Sequence, residues 1–179
     1  GQAVELEAAF PDAVQQAQES AALPSRLAVV SAADPVDRAT GRLLHLPDAP
    51  FLVGELCPPE TLAGIVDGPV LVDNDVNWAA RAEREAAGLE PLDDFVYLYL
   101  GEGLGCAVVS DGEVRRGHVG IAGEIAHLVT WGPRGQAMRF TEVFAALGLR
   151  QRDTTAIDVD AVLEILGRTS SKSRSIRAA

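Results

Sequence analysis

The sequence predicts an α/β protein of two lobes, and three stretches carry that prediction. An apolar run, Pro69-Val70-Leu71-Val72, ends in a packet of short polar side chains, Asp73-Asn74-Asp75-Val76-Asn77, and a helix-patterned segment follows at once. A glycine-rich stretch, Gly101-Glu102-Gly103-Leu104-Gly105, lies between two apolar β-type runs. A glycine-broken loop from Gly117 ends in Gly123-Glu124-Ile125-Ala126-His127. Polar residues at the carboxyl end of a strand and the amino end of a helix mark the place where open α/β sheets bind ligands. The three stretches are expected to wall one pocket.

The chain has 179 residues, 47% of them hydrophobic, enough for one sizeable domain or two small lobes with cores. Its net charge of -11 argues against nucleic acid and anionic membrane as partners, because phosphate backbones are held by clustered Lys and Arg. Cys57 and Cys106 stand far apart without metal-type or redox-type spacing, which fits a reducing cytoplasm. No apolar run nears the ~18 residues of a membrane span, and no signal peptide begins the chain. A cytoplasmic protein is expected.

In chain order, Val4 to Ser20 reads as helix, with a break or a late start at Pro11. Leu27 to Val30 is continuously apolar, the pattern of a strand buried on both faces. Ala33-Asp34-Pro35-Val36-Asp37 and Thr40-Gly41 form a turn-rich loop, and Pro47 and Pro50 keep the next region irregular. Pro58-Pro59-Glu60-Thr61 opens a short helix that runs to Val66. Pro69 to Asp73 is the second strand. The helix after it carries Val76, Ala79 and Ala80 on its apolar face and Arg81, Glu83 and Arg84 on its wet face, with Gly88 as C-cap.

The stretch around Pro91 is the expected lobe boundary, dividing the chain into residues 1–90 and 91–179. Phe95 to Leu100 and Cys106 to Val109 are strands, and Asp111-Gly112 is a two-residue hairpin turn into Glu113-Val114-Arg115. Phe140 to Leu147 and Val159 to Leu166 read as helices, the second capped by Asp158 or Thr155. The basic tail with Arg168, Lys172, Arg174 and Arg177 reads as solvated.

Each site candidate has a plain structural reading beside the chemical one. Asn74 and Asp75 can meet the donors and acceptors of a polyhydroxylated ligand, and Asp75 could take a hydroxyl proton. They are also preferred helix N-caps. The glycine loop leads into a strand rather than a helix, so it is neither a dinucleotide fingerprint nor a Walker loop. Its backbone N–H groups could still face phosphate, or it is a plain hairpin turn. Glu124 and His127, three apart, could hold sugar hydroxyls or a metal, or His127 could be a paired structural residue.

In order and spacing, these stretches resemble the ROK family (repressor, open reading frame, kinase). Its patterns are N-D-x-N at a strand-to-helix junction, a G-T-G-x-G-type loop, an x-D-G-x hairpin and G-x-x-G-x-A-G-E-x-G-H. They correspond here to Asn74 to Asn77, Gly101 to Gly105, Ser110 to Glu113 and Gly117 to His127. Ala33 to Asp37 with Thr40-Gly41 resembles the family's P-G-x-V-D…G segment, with Asp34 where glycine is usual. The resemblance spans about Leu27 to Leu147 and implies the actin-like, ribonuclease-H-like fold of sugar kinases, here as part of a longer chain.

The resemblance also assigns roles. It makes Asn74, Asp75, Glu124 and His127 sugar-binding and Asp75 the general base of a kinase. It turns Gly101, Glu102, Gly103 and Gly105 toward the ATP phosphates. Four departures weigh against a kinase. The D-x-G-x-T phosphate turn is not present, Glu102 replaces the loop threonine, no cysteine cluster follows His127, and the chain stops before the second lobe is complete. No structural zinc is therefore expected, and His118 is the sole nearby partner for His127.

The expected function is the sugar-binding effector domain of a ROK-type transcriptional regulator. An ATP-dependent hexose or N-acetylhexosamine kinase using Mg-ATP is the alternative, and a ligand-free dimerising remnant the third reading. The regulator needs no cofactor and touches DNA only through a domain outside this chain. A homo-oligomer is expected.

Overall fold

The computed structural model describes residues 2–46, 53–86 and 92–167. Pro47 and Pro50, the cap at Gly88, the boundary near Pro91 and the tail from Arg168 lie outside the described residues. The chain forms two compact units, residues 1–97 with 107–122, and residues 98–106 with 123–179.

In the first unit, helix α1 (Gln2–Ala21) leads to strand β1 (Ala28–Ala32), and a long loop leads to the short helix α2 (Pro58–Thr61). Strand β2 (Val70–Asn74) then passes directly into helix α3 (Asp75–Ala86). Strands β1 and β2 pair in parallel, with Ala28 opposite Val70 and Ala32 opposite Asn74. Both strands therefore end at the same level, and their carboxyl ends present Ala33-Asp34 beside Asn74-Asp75.

Three expectations need correction. The helix opened by Pro58 stops at Thr61 and does not reach Val66, because Gly64 takes a φ of 78°, outside the helical region. Pro11 does not break α1, which is continuous through it. A mid-helix proline costs about 3 kcal/mol, but tertiary anchors lie on both sides of it here. Leu6 and Phe10 pack on the core of Val36, Leu43 and Leu56, and the Gln18 side-chain amide donates to the Ile65 carbonyl at 2.9 Å. Strand β1 is also not buried on both faces: Val29 is 56% and Leu71 45% exposed. The opposite face, with Ala32 and Val72, lies against that same core. The other face is open at Val29 and Leu71 and is covered only at its carboxyl end, where Asn77 and Arg81 close over Asp73.

Helix α3 buries Val76 and Ala80 against Ala107 and Val109, with Phe95, Tyr97 and Val114 packed around them. Strands β3 (Phe95–Leu100), β4 (Leu104–Ser110) and β5 (Glu113–Val114) form one sheet in that order, as the sequence predicts. Asp111 and Gly112 have φ of 51° and 75°, the left-handed pair that a tight hairpin turn demands.

The second unit holds a 3-10 turn at Ile125–His127, the hairpin of β6 (Val129–Trp131) and β7 (Ala137–Arg139), and helices α4 (Phe140–Ala146) and α5 (Val159–Gly167). Helix α4 packs on the 3-10 turn and β7. Of the two caps considered for α5, Asp158 serves: its carboxylate accepts the Ala161 N–H at 3.0 Å.

Candidate functional site

The junction of β2 and α3 is built around Asp73, whose side chain is the best-buried carboxylate of the polar packet, with the residue 2% exposed. One of its oxygens accepts the Asn74 N–H at 2.9 Å and the Asn77 side-chain amide at 2.8 Å. The other accepts from Arg81 at 2.7 Å, and Arg116 approaches it at 3.6 Å. These contacts lock the strand end and the first two turns of α3 into one piece. A buried carboxylate is tolerated when charge and hydrogen bonds meet it on all sides.

Asn74 follows Asp73 and bridges two strand ends. Its amide donates to the Ala33 and Asp34 carbonyls at 3.1 and 3.3 Å, and its oxygen accepts the Val76 N–H at 2.9 Å. The capping reading of Asn74 is thus realised. What remains for a ligand is the second lone pair on its oxygen. Asp75 also accepts the Val76 N–H, at 2.7 Å, and its side chain is exposed. Surrounding protein nevertheless partly strips its carboxyl of water, and this desolvation raises its pKa above the ordinary carboxylate value. The Val76 N–H opposes that rise and the charge of Asp34 adds to it.

A raised carboxyl pKa means that the folded state holds the proton more tightly than the unfolded state. Stability therefore falls as pH rises from the unfolded value of about 3.9 through the higher folded value, and the deficit persists at neutral pH. Asp75→Asn should be the more stable protein at pH 7, by less than about 1 kcal/mol because water still reaches the group. It should gain nothing at pH 3. Urea unfolding of both proteins at the two pH values checks this.

The loop after β1 is fixed by residues that the sequence reading left without a role. Asp34, 1% exposed, accepts the Val53 and Gly54 N–H groups at 3.2 and 2.7 Å. Its carboxylate thus ties down a second loop, a task that glycine in its place could not perform. Asp37 accepts the N–H groups of Ala39 and Thr40 and the Thr40 hydroxyl, at 3.0, 2.9 and 2.8 Å. The Thr40 contacts hold the Asp37 carboxyl below the ordinary range. Gly120, with φ of 91°, lies directly against the Val36 carbonyl, so the glycine-broken loop is seated on the loop after β1.

In the second unit, Glu124 and His127 bracket the 3-10 turn, and the His127 N–H donates to the Glu124 carbonyl at 3.4 Å. Both side chains are half-buried. Burial pushes the Cys106 thiol up, and the negative charge of Glu124 adds to it. Glu124 is therefore electrostatically close to the residue after Gly105. In the glycine loop, the Gly101 N–H is turned inward onto the Gly103 carbonyl at 3.0 Å. The Gly101 carbonyl accepts from Ile157 at 2.8 Å, and the Tyr99 hydroxyl fills the space where a Gly101 Cβ would stand. Glu102 is exposed. Among the described residues no group of three or more His, Cys, Asp or Glu side chains is arranged to hold a metal, and no helix is long and apolar enough to cross a membrane.

The ROK family pattern matches residues 5–138, three quarters of the chain. The chain belongs to the ROK family. It is 31% identical over 122 residues to a glucokinase of Streptomyces coelicolor, covering 67% of this chain and 38% of that protein. It is 37% identical over 59 residues to a xylose repressor of Caldicellulosiruptor bescii, covering 33% of this chain and 15% of the repressor. This ROK chain thus spans well under half the length of either relative. Among solved structures, a ROK hexokinase from Thermus thermophilus superposes with a TM-score of 0.60 at 24% identity, over 96% of this chain and 60% of that one. A ROK transcriptional regulator, a homolog of the E. coli MLC protein, gives 0.59 at 20% identity, over 94% and 42%. The fold is that of the actin-like sugar kinases, and both regulators and kinases of the family share it.

Asp73 was legible only as a strand end. The signal that could have revealed its role is the spacing to Asn77 and Arg81, four and eight residues on, which puts both on the helix face above it.

Proposed function

We propose that this chain is the sugar-binding effector portion of a ROK-family transcriptional regulator and does not transfer phosphate. Asn74 and Asp75 in the first unit, and Glu124 and His127 in the second, are the residues assigned to sugar recognition. Asp75 is suited to accept a sugar hydroxyl, and the half-buried Glu124 and His127 can accept and donate at further hydroxyls. The regulator would meet DNA through a domain outside this chain.

The observation that carries the reading is the glycine loop. A phosphate-binding loop works by turning backbone N–H groups toward the anion. Here the Gly101 N–H is already bonded to Gly103, and Glu102 brings a like charge. A carboxylate about 4 Å from a phosphate charge costs roughly 4 kcal/mol at an effective dielectric of 20 and about 1 kcal/mol in bulk water. The exposure of Glu102 moves the cost toward the lower figure. The two features together fit Mg-ATP poorly.

The similarity to the Streptomyces coelicolor glucokinase, over 67% of this chain, favours the kinase as second reading. Asp75 would then be the base for the sugar hydroxyl. A coupled ADP-release assay on the full-length protein with Mg-ATP and hexoses separates the two. Sugar-dependent turnover is expected to stay far below ~1 per second. Turnover at or above that rate, abolished by Asp75→Asn, would establish the kinase instead.

A further inference from the structure

The first unit holds a cleft of about 520 Å³ that includes none of the sugar-assigned side chains. It lies beside strand β2, between the loop after β1 and helix α3. Arg38, Arg81 and Arg116 all line it. Three guanidinium groups around one cleft are unexpected on a chain of net charge -11.

The lining carboxylates are Asp37 and Asp73. Asp37 is ionised but turned onto its own loop, where Ala39 and Thr40 satisfy it. Asp73 is buried and met by Asn74, Asn77 and Arg81. Three positive charges thus face two negative ones, which leaves one positive charge in surplus. Donors are in surplus as well. Each guanidinium has five N–H groups. Arg38 donates to the Gly117 carbonyl at 2.9 Å, Arg81 donates to Asp73, and Arg116 stands 3.6 Å from Asp73.

Arg81 is also pre-positioned. Its guanidinium lies over the Trp78 ring at 4.7 Å, and the Trp78 N–H is tied to the Val30 carbonyl at 3.0 Å. Stacking on an indole fixes the plane of the fork without using its donors.

We propose that this cleft binds a phosphate group, as the free ion or as a phosphate monoester, through Arg38, Arg81 and Arg116. Arginine forks match phosphate oxygens in pairs, and a dianion answers the surplus positive charge. The volume exceeds the need of the ion alone and falls in the range of small-molecule sites. Pro59, Leu71 and Trp78 supply apolar wall for the carbon skeleton of an ester. The site shares no residue with Asn74, Asp75, Glu124 or His127, so it stands or falls independently of the sugar reading.

The test is calorimetric titration of the full-length protein with inorganic phosphate and with glycerol 3-phosphate, in chloride buffer at fixed ionic strength, with glycerol as the blank. At least one phosphate probe should bind, and glycerol should not. Binding to the ion alone identifies a free-phosphate site, and tighter binding of the ester identifies a monoester site. Arg38→Gln removes an exposed side chain and should weaken binding about tenfold, the worth of one charge-assisted hydrogen bond, with the melting temperature lowered by no more than the loss of its one exposed bond to the Gly117 carbonyl. Arg116→Gln should weaken it similarly. Failure of both probes to bind, or unchanged affinity in both variants, would overturn the proposal.

Discussion

Asp73→Ala is expected to destabilise the protein by about 3 kcal/mol, the low end of the cost of removing one partner from a buried charge pair. The low end applies because Arg81 and Arg116 keep about a third of their side chains in water and can re-solvate. The loss has two parts. Two guanidinium groups lose their counter-charge, and the Asn74 N–H and Asn77 amide lose their acceptor. Asp73→Asn keeps an acceptor for the second pair of contacts and should cost less. Urea unfolding should show lower midpoints for both variants with an unchanged slope, in that order. Asp73→Ala unfolding at the parent's midpoint would show that the β2–α3 junction is held by packing alone.

Gly120→Ala is expected to be at least as damaging, at roughly 3 kcal/mol or more. At φ of 91° a side chain is strained wherever space exists, which alone costs of order 1–3 kcal/mol. Here the added methyl would also strike the Val36 carbonyl, a backbone atom that cannot swing aside. The loop from Gly117 must lift off the loop after β1, and the Arg38 bond to the Gly117 carbonyl goes with it. Gly103→Ala is the matched control: nothing stands within 4 Å of its Cβ position, so its midpoint should stay within about 0.5–1 kcal/mol of the parent's. Equal loss in both variants would show a general glycine effect rather than a seat at Gly120.

Much of this architecture was legible because hydrophobic pattern and turn chemistry agree locally. The parallel pair Ala28–Ala32 and Val70–Asn74 was announced by two apolar runs, and the hairpin at Asp111-Gly112 by its dipeptide. Pro11 misled because propensity is a local quantity, whereas Leu6, Phe10 and Gln18 anchor α1 through contacts distant in sequence. Val29 and Leu71 misled because an apolar run reports what a strand can bury, not what is present to cover it.

At the site, Asn74 and Asp75 stood out because short polar side chains broke an apolar run. The roles of Asp73, Asp34 and Arg116 were not legible, since they depend on partners brought together by the fold. The capping reading of Asn74 is realised, and its bonds to Ala33, Asp34 and Val76 account for most of its hydrogen-bonding capacity.

The central claim, sugar recognition through Asp75, is tested most directly by thermal unfolding of the full-length protein with hexoses, amino sugars and N-acetylated sugars, beside Asp75→Ala. A sugar that binds only the folded state should stabilise it by about 2.7 kcal/mol at a hundred times its dissociation constant. At least one sugar is expected to raise the melting temperature of the parent, and Asp75→Ala to lose most of that rise. A screen with no shift for any sugar, or a shift undiminished in Asp75→Ala, would contradict it.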